Sequence, residues 1–144
     1  MVTEEKILQK FIQLDEYLGF LNKISRSSEQ DFLKDKILIG GAKYYLQVSI
    51  ECCLDVVNHI IASERFRPPK DYADSFSILE ENGILESSLV INLRQMAKFR
   101  NRLVHLYGEI DDKFVFEFIQ KDIENIRKFQ TIIINSYINM PVGH

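Results

Sequence analysis

Arg100 and His105 are the two side chains in this sequence best suited to handle an anion and a proton in one place. Arginine stays charged throughout the physiological range and presents a fixed fork of donors that matches carboxylate or phosphate oxygens. Histidine, with an unperturbed pKa of about 6.5, takes or gives a proton near neutrality. Asn101 lies four residues before His105, on its face of a helix, and Tyr107 follows it by two. Arg94, Lys98 and Arg102 add cations nearby. Ser87 to Gly108 holds no acidic residue, so this segment carries +4 within a chain of net charge −3 and leaves −7 on the rest. That is a local basic patch on an acidic body, which excludes a protein coated for nucleic-acid binding and gives no expectation of a DNA partner.

Spacing leaves the roles of these residues open. At about 100° and 1.5 Å per residue, the Cβ vectors of Arg100 and His105 differ by roughly 140° and rise by about 7.5 Å, so on a regular helix they point apart. They share a site if Arg100 reaches around, if the helix loosens at Tyr107-Gly108, or if two copies of the chain face each other. Arg100 also interrupts an apolar line through Leu89, Leu93, Met96, Leu103 and Tyr107. An arginine there snorkels, meets a carboxylate, or faces a ligand or second subunit. By the same reasoning His105 either caps the last carbonyls of its helix or does chemistry. Tyr107 either continues the core line or offers its hydroxyl at the rim.

Other chemistry-bearing residues carry weaker signals. Glu51 is placed to pair with Arg100 across a bundle or to sit at a cleft. Asp55 and His59, four apart, read as a local hydrogen bond. Cys52 and Cys53 are adjacent, so their side chains diverge, and no disulfide framework or zinc-spaced cluster arises. No metal and no cofactor is expected, and no glycine-rich phosphate loop supports nucleotide hydrolysis. Arg65, Arg67 and Lys70 form a second small basic group, read as a solvated loop or as a contact for a phosphate backbone.

The elements that must position these residues are helical. The chain has 144 residues, 46% of them hydrophobic and 27% charged, with only 6 Gly and 3 Pro, which fits one globular domain over residues 1–144. Ile7, Phe11, Leu14, Leu18 and Leu21 recur at helical spacing and predict a first helix from Thr3 to Ile24. After a polar break at Ser25 to Ser28, Glu29 to Ser63 reads as one long helix, with Gly40-Gly41 marking a kink or, preferably, a close backbone approach. Pro68-Pro69 forces an extended connection; Asp71 then caps a helix to about Glu81, which Asn82-Gly83 ends. Further helices are expected from Glu86 or Ser87 to Leu106 and, beyond a turn at Gly108 to Asp112, from Lys113 to Asn139. The result is an all-α antiparallel bundle of four to five helices. The most apolar segment, Lys43 to Ala62, carries Glu51, Asp55 and His59, so no membrane span is expected. Without a signal pattern at the N-terminus, a reducing cytoplasmic location follows.

The segment RNRLVHLY, Arg100 to Tyr107, fits the R-x4-H-x-Y signature of the HepT-like branch of the HEPN domains, and the chain resembles that family in the order of its segments. YYLQVSIECCLDVVNHIIA, with Gln47 and Glu51 interrupting an apolar run, is similar to the family's second helix. DYADSFSILEENGIL, LRQMAKFRNRLVHLY and the acidic turn Asp111-Asp112 followed by Phe114 to Ile119 resemble the helices after it. The resemblance implies a homodimer whose two signature helices line one cleft. It implies a metal-independent endoribonuclease toxin of a type VII-like pair, with Arg100 and His105 catalytic, Asn101 supporting, and Arg94, Lys98 and Arg102 as RNA contacts. It also implies a partner, an MNT-type nucleotidyltransferase antitoxin that adenylylates Tyr107. The alternative is a non-catalytic HEPN module that binds a nucleotide or a partner.

Overall fold

In a computed structural model, residues 2–138 are described. Helix α1 spans Glu4–Ser25, α2 Glu29–Lys34, α3 Lys36–Glu64, α4 Tyr72–Glu81, α5 Ser87–His105, α6 Asp112–Lys121 and α7 Ile123–Tyr137, with a 3-10 turn at Tyr107–Glu109. No strand occurs among the described residues. The predicted line Ile7, Phe11, Leu14, Leu18 and Leu21 is buried along α1, which packs lengthwise on α3. Helix α3 is the core helix of the bundle, and its most apolar stretch is 56% buried. Helix α5 packs on α4 and α3, and α7 closes the bundle from the other side. Phe129 of α7 meets Phe11 of α1 and Phe76 of α4 edge to face, at 6.3 and 5.9 Å between ring centroids. Phe76 and Phe129 are fully buried, each contributing roughly 1.5–3 kcal/mol.

Two of the expected helices are each divided in two, and an aspartate sits at both divisions. The segment Glu29 to Ser63 breaks at Asp35, whose backbone is extended and whose carboxylate accepts from the N–H groups of Ile37 and Leu38 at 3.1 and 3.0 Å. A short acidic side chain offers the backbone this local bond in place of a continued ladder, so Asp35 ends one helix and starts the next. The expected final helix divides at Asp122, beyond which α7 begins a new ladder. Its expected end, Asn139, lies outside the described residues.

Gly40 and Gly41 do not break α3. A side chain at Gly41 would meet only the Tyr45 ring at 3.8 Å, an ordinary contact, so no close backbone approach occurs at Gly41. Gly83 does end α4 as predicted, with φ of 74° in the left-handed region. The connection carrying Pro68-Pro69 is held by Arg67, whose guanidinium takes both oxygens of Asp74 at 2.7 and 2.9 Å and both of Glu81 at 2.9 Å. Arg67 stays exposed in this loop, as the solvated reading has it, but it is a paired charge tied to α4.

Candidate functional site

Leu89, Leu93, Met96 and Leu103 of α5 are buried as their spacing predicts, and Arg100 on the same line is only 16% exposed. What admits a charge there is Glu51 of α3. Its Oε2 accepts from Arg100 Nη2 at 2.7 Å and Nε at 3.0 Å, and from Gln47 Nε2 at 3.3 Å. Arg100 Nη1 donates to Asn101 Oδ1 at 3.3 Å, and the Tyr72 ring lies 5.0 Å from the guanidinium carbon. Of the five N–H groups of the fork, one on each terminal nitrogen remains for an anion. The structural ion pair, one of the alternatives set by spacing, is present, and it leaves part of the fork free of protein partners.

Arg100, Asn101, Val104 and His105 line a cleft of about 630 Å³, opposite Asn58 of α3 and Pro69, Asp71, Tyr72 and Ser75 of α4 and its leading turn. The roughly 140° between Arg100 and His105 is therefore the width of the cleft wall, with Val104 and Asn101 between the two. Within a single chain both side chains reach one space, a route that the separation of their Cβ vectors did not suggest. The opposite wall is held by its own bonds. Ser75 Oγ donates to Asn58 Oδ1 at 3.1 Å, and Asp71 accepts from the Asp74 N–H at 2.7 Å, which caps α4.

His105 is the last residue of α5 and is exposed. Tyr107 opens the following 3-10 turn; its side chain, and with it the choice between core line and rim, lies outside what the structure describes. The three further cations do not join the cleft. Arg94 Nη1 donates to Ser77 Oγ of α4 at 2.6 Å. Lys98 and Arg102 line a separate groove between α5 and α6, where Arg102 stands 6.0 Å from the Phe114 ring. Tyr72 and Asn58 are cleft residues that sequence reasoning missed. Both lie in segments that resemble the family's helices but outside its signature, and the packing of α4 and α3 against α5 brings them to the cleft of Arg100.

Other expected pairings are rearranged. Asp55 binds Lys10 of α1 at 2.9 Å and leaves His59, whose Nε2 accepts the Thr3 N–H at 3.0 Å. Burial, with help from Lys6 and the chain's amino group, holds the His59 pKa below its usual value. Cys52 and Cys53 are free thiols, both buried. Burial pushes the Cys52 thiol up to about 11, away from thiolate reactivity. Among the described residues no three His, Cys, Asp or Glu side chains stand together as metal ligands.

The helices of the described residues, with an arginine and a histidine on one cleft wall at the end of α5, define the class: an all-helical domain whose cleft is lined by a guanidinium and an imidazole. Residues 14–133 match the family model described as Ribonuclease HepT-like, and the chain belongs to this family. It is 32% identical over 106 residues to the mRNA nuclease HepT of Shewanella oneidensis, covering 73% of this chain and 76% of that one. It is 29% identical over 135 residues to the tRNA nuclease HepT of Aphanizomenon flos-aquae, covering 91% and 80%. The tri-AMPylated HEPN toxin of Shewanella oneidensis, solved in complex with its MNT antitoxin, superposes with a TM-score of 0.85 at 26% identity, over 92% of this chain and 99% of that one.

Proposed function

We propose that this chain is a metal-independent endoribonuclease toxin that acts as a homodimer in the cytoplasm and is neutralised by an MNT-type nucleotidyltransferase. The observation that carries this reading is the cleft wall itself, which Arg100 and the exposed His105 line together. RNA supplies its own nucleophile. His105 takes the proton of the 2′-hydroxyl as that oxygen attacks phosphorus, and Arg100 stabilises the charge that grows on the phosphoryl oxygens. The bond to the 5′-oxygen breaks and that oxygen is protonated, with His105 of the second copy as the donor in the dimer. The products are a 2′,3′-cyclic phosphate and a 5′-hydroxyl. Asn101 supports the site by accepting from Arg100. Arg94, Lys98 and Arg102, which lie outside the cleft, serve the flanking RNA backbone.

Adenylylation of Tyr107 would place bulk and negative charge two residues from His105 and repel the RNA phosphates. The nuclease names of the relatives and the AMPylated toxin–antitoxin complex support this reading. The test is incubation of the purified protein with total RNA and excess EDTA, beside His105→Ala, with analysis of the new 3′ ends. Cyclic phosphate ends that appear with the wild type and vanish with the variant support it. A folded dimer with unmodified Tyr107 that leaves RNA intact points instead to a non-catalytic binding module.

A further inference from the structure

Tyr72 has no part in the chemistry just described, yet it brings an aromatic ring to the cleft. One side of the ring is turned to Arg100, 5.0 Å away, while the residue is 43% exposed. The position is rigid. Pro68-Pro69 fixes φ on the approach, and the Asp71 cap fixes the first turn of α4, which Tyr72 opens. Exposure alone does not single this ring out, since Tyr44 is exposed as well. Tyr72 has the makeup of a stacking platform, with a cation on one side of the ring and room for a base against the rest.

We infer that Tyr72 is a base-binding residue, on which the unpaired nucleobase next to the scissile phosphate stacks while Arg100 holds that phosphate. The inference rests on the ribonuclease reading and narrows its substrate to single-stranded RNA, such as loops and ends, because a base inside a duplex is already stacked on its neighbours. Little base preference follows from this contact, since every base has a π-face. Specificity at this subsite is for strand state.

The chain contains no tryptophan, so Tyr72→Trp creates a single fluorophore at the platform. It is titrated with an unlabelled 2′-O-methyl RNA hexanucleotide, which lacks the nucleophile, while calorimetry reports binding independently. Tyr44→Trp, on an exposed position outside the cleft, is the control. The expected result is quenching in the Tyr72→Trp variant alone, saturating at the calorimetric Kd, with binding weakened roughly 5- to 150-fold in Tyr72→Ala and retained in Tyr72→Phe. In cleavage assays Tyr72→Ala should raise KM and keep kcat, whereas a mere prop for Arg100 would lower kcat. Calorimetric binding without quenching, and with Tyr72→Ala binding like the wild type, overturns the platform and leaves the roles of Arg100 and His105 standing. A folded wild type that does not bind the hexanucleotide overturns both.

Discussion

Removing Glu51 should damage the protein in two separable ways, and a double-mutant cycle with Arg100 measures the first. The pair is short, with Nη2 and Nε at 2.7 and 3.0 Å from one oxygen, and the side chains are 16% and 31% exposed. At an effective dielectric constant of about 20, charges about 4 Å apart attract by roughly 4 kcal/mol before desolvation is subtracted. Breaking a fully buried pair costs about 3–5 kcal/mol because one charge is left uncompensated, and partial exposure here reduces that to about 2 kcal/mol. Glu51→Gln and Arg100→Gln should each lower the urea-unfolding free energy by about that amount. The double variant should lose clearly less than the sum, giving a coupling of about 1–2 kcal/mol. Coupling within about 0.3 kcal/mol of zero would refute the claim that Glu51 is what admits Arg100 to an apolar line. The second effect is kinetic. If Glu51 holds the fork in its working orientation, Glu51→Gln lowers kcat of RNA cleavage about 10- to 100-fold with little change in KM. A variant that cleaves faster would show that Glu51 competes with the phosphate for Arg100.

Three further outcomes follow from contacts elsewhere in the bundle. Asp35→Ala removes the cap that starts α3 and should cost about 1 kcal/mol in chemical denaturation, while Asp35→Asn, which still accepts from Ile37 and Leu38, should cost less. Arg67 holds the Asp74 carboxyl well below the ordinary carboxylate range. The stability it contributes is complete above the unfolded value of about 3.9 and fades as pH falls through the folded one. Wild type and Asp74→Asn should therefore differ in unfolding midpoint near neutrality, begin to converge as pH falls below about 3.9, and still differ at about pH 3. Burial keeps the Cys52 thiol at about 11 and raises Cys53 as well. Neither should react with a thiol reagent at about pH 8 in the native state, and both should react on denaturation; rapid native labelling would contradict the packing of α3.

Apolar periodicity located the faces of the helices well and their ends less well. The lines on α1 and α5 were legible because burial repeats with the helical period, and the end of α4 was legible because Gly83 takes a left-handed φ. Asp35 went unread because an exposed acidic residue looks the same whether it decorates a ladder or interrupts it, and only its bonds to the backbone distinguish the cases; at Asp122 the helix divides with no side-chain cap to mark it. Glu51 was a candidate partner for Arg100 from the outset, but 49 residues separate them, and the packing of α3 on α5 supplies the contact. The site itself was obscured for a different reason. Helical geometry set Arg100 and His105 roughly 140° apart, and treating a site as a single direction makes that angle an obstacle. A cleft of about 630 Å³ accepts a whole arc of α5 as its wall, so two residues at the edges of the arc line one space from either side. Angular separation on a helix excludes a shared space only when the space is narrower than the arc, and this cleft is as wide as its arc.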